Sequence, residues 1–166
     1  MASARVDSWT SAAALGDYRR LDDAGLELDL LISGEAFRNL PRFCDRLPNL
    51  RIVINHLPLL AGTSLAALKD LAGRPKVYAK VSGILKEVNG RIPLEASYYQ
   101  DSLDQLWTWF GEDRLIYGSD WPVSERFAPY RHVLAVAREY FSRRGPGALA
   151  KYFTGNARAA YRFPSP

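Results

Sequence analysis

The chain alternates between two kinds of segment. Short runs rich in β-branched and aliphatic residues, at 26–32, 51–55, 76–81 and 114–117, are each followed by a stretch whose apolar residues keep helical spacing, with Gly, Pro or Asn at the joints. Parallel strands need crossover connections, and a helical crossover has to cover a sheet face, so this grammar predicts an α/β fold with a parallel sheet. The four strand starts lie 25, 25 and 38 residues apart, near the ~30 residues per unit of a (β/α)8 (TIM) barrel of ~250 residues. About four parallel βα units are therefore expected, in one domain over residues 1–166. Four strands do not close such a barrel, and their outer edges should stay open to self-association or to a partner. An open doubly wound nucleotide-binding domain alternates in the same way. It would want a glycine-rich phosphate loop after its first strand, and Ser33-Gly34-Glu35 is no such loop.

The helical stretches can be read individually. Leu15, Tyr18 and Leu21 precede Gly25, the pattern of a helix closed by a left-handed glycine. Phe37, Leu40, Phe43, Cys44 and Leu47 share a helical face, with Pro41 marking a start or a kink. Thr63 or Ser64 is expected to cap a helix carrying Leu65, Leu68 and Leu71, after a loop with Pro58 and Gly62. A longer connection, roughly 83–93, leads to a helix with Tyr99, Leu103, Leu106, Trp107 and Phe110. Tyr130, Val133, Leu134, Ala137, Tyr140 and Phe141 mark the next, and its basic end, residues 138–144, suits a helix C-terminus. Leu149, Phe153, Ala157 and Tyr161 mark a last helix beyond Gly145-Pro146-Gly147.

Composition removes several function classes. Apolar residues make up 48% of the chain, enough for a packed core, and no stretch approaches the ~20 continuous apolar residues of a membrane span. The net charge is +4, but the 22 basic residues are interleaved with 18 acidic ones. No run resembles a nucleic-acid stripe. Cys44 is the single cysteine, so no intramolecular disulfide forms, and its apolar register makes it a buried small hydrophobe. The first residues lack the apolar core of a secretory signal, which makes the cytoplasm the expected compartment.

Chemistry concentrates at two strand ends, Ile54-Asn55-His56 and Tyr117-Gly118-Ser119-Asp120. In parallel βα folds the carboxyl ends of the strands form the working face. His56 and Asp120 are 64 residues apart, two βα units, and side chains from alternate barrel strands share a layer. The two can thus meet at one mouth. A carboxylate takes a proton from water or binds a metal, and an imidazole polarises a carbonyl or ligates the same metal. Position alone leaves two plainer roles open: a turn or N-cap aspartate, and a histidine satisfied by neighbouring backbone. Lys80 and Ser82 alternate with Val77, Ala79 and Val81, so they face away from the apolar set, and Asp29 on the first strand is a candidate partner for Lys80. A lysine reaching solvent at an open edge is the other reading. Trp121 either walls a pocket or simply packs. His132 lies off its helix's apolar face and reads as a surface residue.

Four blocks, RIVINHLP at 51–58, VYAKVSG at 77–83, RLIYGSDWPV at 114–123 and FTGNARAAY at 153–161, resemble in order and spacing the C-terminal half of the amidohydrolase-related family. The nearest branch contains sugar lactonases and 2-pyrone-4,6-dicarboxylate lactonase. GSDWP at a strand end is the most specific element, and the likeness runs from about Trp9 to Tyr161. It implies a partial TIM barrel equivalent to strands 5–8, with Asp120 as general base for an attacking water. It also implies that His56 polarises the scissile carbonyl or enters a divalent-metal site. Zinc or manganese would be the metal, its ligands are unassigned, and a metal-independent reaction stays open. The family's early strand with two histidines separated by one residue has no counterpart here, nor has the histidine that some relatives carry on residues 26–32. The chain is accordingly expected to be truncated: a shortened product, an incomplete gene model or a fragment that pairs with another half.

The expected function is hydrolysis of a lactone or cyclic ester, a small-molecule substrate of anionic or sugar-acid type held by Lys80, Ser82 and Trp121. The alternative is a catalytically inactive half-barrel that serves as an assembly or interaction module.

Overall fold

The structure, a computed structural model, describes residues 11–57 and 64–163. Strands β1 (Glu27–Leu30), β2 (Arg51–Leu57), β3 (Val77–Val81) and β4 (Leu115–Tyr117) form one sheet in the order β1-β2-β3-β4. Every neighbouring pair is parallel. Helices α1 (Ala12–Asp23), α2 (Gly34–Arg46), α3 (Leu65–Ala72), α4 (Gln100–Phe110) and α5 (Tyr130–Ser142) alternate with the strands, and α6 (Pro146–Ala150), one π turn (Lys151–Gly155) and α7 (Asn156–Tyr161) close the described chain. Sequential strand order without reversal is the topology of a barrel wall, whereas a doubly wound sheet reverses its order at a switch point. The four βα units expected from the alternation are present as a partial barrel.

Local chemistry explains the elements. Ser11 Oγ accepts from the Ala14 N–H at 3.2 Å and Ser64 Oγ from the Ala67 N–H at 3.4 Å, two N-caps that start α1 and α3. Gly25, at φ +69°, closes the turn after α1. Thr63, Pro58 and Gly62 lie outside the described residues. Helix α2 begins at Gly34, seven positions before Pro41, and continues past it to Arg46. No helix among the described residues is long and apolar enough to cross a membrane.

Alternation sorts the strand residues onto two faces. Ile52, Ile54, Val77, Ala79, Val81 and Leu115 join the main core with Phe37, Leu40 and Phe43 of α2, Leu68 and Leu71 of α3, and Leu103, Leu106 and Phe110 of α4. Cys44 is buried in that core. Val53 and Ile116 point the other way, into a small second cluster with Ala157, Ala160 and Tyr161 of α7. Arg51 ties α7 down: its Nε donates to the Ala160 carbonyl at 2.6 Å and its Nη2 to the Gly25 carbonyl at 2.5 Å. The two faces of the sheet are thus buried unequally. The helical layer seals one face, while on the other Lys80 stays half-buried and Asp29 exposed.

Candidate active site at the strand ends

Two strands deliver the polar groups, and each does so through an irregular backbone. In the β2–β3 ladder Ile54 pairs with Ala79 but Leu57 pairs with Val81. Three steps along β2 oppose two along β3, so β2 carries one extra residue, a bulge. His56 lies in that bulge at φ +59°. Asp120, three residues beyond β4, is at φ +57°. Left-handed backbone costs an L-residue roughly 1–2 kcal/mol, and His, Asn and Asp are the side chains that tolerate it best. Four non-glycine residues with positive φ occur among the described residues, His56, Asn89, Asp120 and Arg162. Two of the four are this pair.

The pair meets at the rim. His56 Nδ1 lies 3.6 Å from Asp120 Oδ1, with side-chain exposures of 31% and 17%. That separation is beyond a hydrogen bond but within direct electrostatic reach. Among the described residues the imidazole has one close partner, Ser82, whose Oγ is 3.0 Å from Nδ1. Ser82 is only 1% exposed. It is pressed from β4 by Gly118, where a Cβ would stand 2.7 Å from Ser82 Cβ and 3.1 Å from Lys80 Cγ. Glycine at 118 is therefore a steric requirement, set by the approach of two neighbouring strands.

On the same face Lys80 Nζ donates to Asp29 Oδ1 at 2.9 Å. The Tyr161 hydroxyl also donates to that carboxylate, at 3.1 and 2.9 Å to its two oxygens, and the Tyr161 ring lies 5.5 Å from the ammonium. Desolvation pulls the Lys80 pKa down, and the contacts with Tyr161 and Asp29 outweigh it, so Lys80 stays above the ordinary lysine value. It is a fixed cation. Trp121 is 62% exposed, its indole N–H donating to Glu125 Oε1 at 3.2 Å. His132 is half-buried on α5.

Of the residues singled out in the sequence, His56, Ser82 and Asp120 come together, Lys80 joins Asp29 beside them, and Trp121 lies outside that contact network. Tyr161, the hydroxyl that completes the Asp29 carboxylate, reads in the sequence only as a helix-face aromatic. Its polar role has no local sequence signal, because it depends on α7 crossing to the second face. The Asn55 Oδ1 atom, next to His56, is buried without a hydrogen-bond partner among the described residues.

Among the described residues no group of three or more His, Cys, Asp or Glu side chains could hold a metal ion. His56 and Asp120 supply two donors. A zinc site takes four ligands, three of them from protein even when water fills the last position. The pair alone does not amount to a metal centre.

A family model described as amidohydrolase matches residues 7–163. An L-fucono-1,5-lactonase of Burkholderia ambifaria is 37% identical over 151 residues, covering 85% of this chain and 51% of its own length. A second, from Burkholderia multivorans, is 32% identical and is covered over 52% of its length. The chain spans about half the length of the curated relatives it matches. Among solved structures, an amidohydrolase from Burkholderia multivorans with bound zinc superposes with a TM-score of 0.81 at 23% identity, over 96% of this chain and 60% of that one. A putative 2-pyrone-4,6-dicarboxylic acid hydrolase from Pseudomonas putida gives 0.70 at 24% identity, over 95% of this chain and 59% of that one. At those identities the structural likeness speaks to the fold.

Proposed function

The chain belongs to the amidohydrolase family, and from that premise we propose that it carries the water-activating wall of a hydrolase acting on a lactone or cyclic ester. The supporting observation is the convergence of His56 and Asp120 at one strand-end rim, 3.6 Å apart, each on left-handed backbone. Strained polar residues persist where the surrounding structure over-determines them, and they cluster at functional sites. The lactonase names of the two relatives favour a sugar-acid lactone as substrate class.

In this reading Asp120 removes a proton from water as the water oxygen attacks the ring carbonyl carbon. His56 donates a hydrogen bond to the oxygen that gains negative charge, as an oxyanion donor does. The C–O bond of the ring then breaks, the proton held by Asp120 passes to the departing alkoxide, and a hydroxy acid leaves. Lys80, a fixed cation on the same face, favours an anionic or hydroxyl-rich substrate, and Trp121 offers an exposed ring at the rim. Ser82 acts through His56. A divalent metal such as zinc or manganese would need donors beyond His56 and Asp120.

Asp120→Asn tests the reading. Asn tolerates the backbone angle at 120, so the variant should fold as the parent does and isolate the charge. Hydrolysis of a sugar-lactone panel should fall ~100-fold or more, the usual loss for a general base. Turnover equal to the parent's would remove Asp120 from the mechanism. A second reading, favoured by the outer edges of β1 and β4, which pair with no further strand among the described residues, makes the half-barrel an assembly module that self-associates, and its deciding quantity is mass in solution.

A further inference from the structure

The lone proton of a neutral imidazole sits on one of two nitrogens, and which one decides whether His56 offers its outward nitrogen as donor or as acceptor. Nδ1 faces Ser82 Oγ at 3.0 Å and Asp120 Oδ1 at 3.6 Å. Two arrangements fit the shorter contact. If Nδ1 carried the proton and donated to Oγ, the Ser82 hydroxyl hydrogen would need another acceptor. Ser82 is 1% exposed, and its described side-chain hydrogen bonding is the contact with Nδ1 alone. Among the described residues that hydrogen would be buried without a partner, which is the expensive outcome for a donor. If Ser82 donates to Nδ1 instead, its single hydrogen is used, and only lone pairs remain underused. Under-satisfied acceptors are the commoner and cheaper exception.

We infer that Ser82 is a positioning residue that holds neutral His56 in the tautomer protonated at Nε2. The inference deepens the proposed hydrolase reading and rests on it for its functional meaning. A proton on Nε2 turns the outward nitrogen into the hydrogen-bond donor that a carbonyl oxygen requires. It also leaves no proton on Nδ1 to engage the Asp120 carboxylate, which keeps that carboxylate free for water. Gly118 is part of the device. With any Cβ at 118, Ser82 would have to move by several tenths of an ångström, because the closest approach is 2.7 Å. The strand register that pairs Val81 with Tyr117 brings residues 82 and 118 side by side.

The prediction is accessible by nitrogen NMR, because the chain has two histidines, His56 and His132. In the full chain labelled with 15N-imidazole histidine, at a pH where imidazoles are neutral, a His132→Gln variant assigns the two rings. His56 should show a protonated-type Nε2 and an unprotonated-type Nδ1. In Ser82→Ala the Nδ1-protonated form should appear, drawn by the carboxylate 3.6 Å away. A parent spectrum with the proton on Nδ1 overturns the inference, even where the alanine variant fails to fold. So does a folded Ser82→Ala variant whose His56 signals match the parent's. Hydrolysis is not part of this readout. The expected spectrum together with an Asp120→Asn variant of undiminished turnover would uphold the tautomer and sink the hydrolase mechanism, so the two failures are distinguishable.

Discussion

Cys44 offers a worked test of how tightly the helix-side core is sealed. Its side chain is 4% exposed in the main cluster, and burial pushes the thiol pKa from 9.0 up to about 11. Arg74 pulls the value down, while Asp45 and Asp70 add to the rise. Below pH 9 both native and unfolded chains hold the thiol proton, and Cys44 has no pH-dependent effect. Between about 9 and 11 the unfolded chain releases the proton while the native chain keeps it, so native binds more protons and stability falls as pH rises. Each tenfold difference in proton affinity is worth ~1.36 kcal/mol, so the rise to about 11 brings the loss to about 2 kcal/mol by pH 11. Tyr140 and Tyr152 are also held protonated by burial and add their own alkaline losses. The contribution of the thiol is therefore read as the difference between the parent and Cys44→Ala, since the tyrosines are common to both. Urea unfolding followed by tryptophan fluorescence, repeated from neutral pH to about 11, should show the parent losing stability faster than the variant above pH 9. Parallel curves would mean that water reaches the thiol and that this part of the core is not sealed.

Gly118→Ala should destabilise the chain by about 1–3 kcal/mol, the range for overpacking, because its methyl would meet Ser82 Cβ at 2.7 Å. Thermal unfolding measures this, and an unshifted midpoint would mean that β3 and β4 leave room for a methyl group at 118. Self-association through the edges of β1 and β4 should appear in light scattering as a mass above the monomer that grows with concentration. A constant monomer mass would remove the assembly reading.

The parts of the fold that were legible in the sequence are those where one rule acts along an uninterrupted segment. Strand β3 is an example: Val77, Ala79 and Val81 enter the helix-side core and Tyr78 and Lys80 the other face, as strict alternation requires. The same parity makes Asp29 a candidate partner of Lys80. Parity also marks where reading fails. Alternation carried on from Ile54 would turn His56 toward the helices, and only the extra residue of the bulge, with the left-handed turn at 56, brings it to Ser82. A bulge is set by pairing with another strand, so residues 51–57 alone do not reveal it. The last helix shows the same limit. Leu149, Phe153, Ala157 and Tyr161 look like one stripe, but the π turn at Lys151–Gly155 adds a residue to the turn and rotates α7 relative to α6. Tyr152 consequently enters the helix-side core, its hydroxyl donating to the Val81 carbonyl at 3.2 Å, and Ala160 and Tyr161 reach the opposite face.

Among the described residues, the frame that holds His56 and Asp120 runs through three neighbouring strands. Strand β3 stands between the two strands that carry them, with β2 registered on one side and β4 on the other. Ser82, just beyond β3, fixes the imidazole, and Gly118, just beyond β4, lets Ser82 stay there. The left-handed angle at His56 is bracketed by Ile54 and Leu57, both in the main core. That at Asp120 is locked from the other direction, where the Ser124 N–H donates to the Asp120 carbonyl at 2.8 Å and Ser124 itself is buried. Strain of roughly 1–2 kcal/mol at each residue persists because these contacts over-determine the backbone there. The spacing of the pair is therefore a property of the β2–β3–β4 register. A substitution that shifts that register, or that moves Ser82, should change the geometry of the pair.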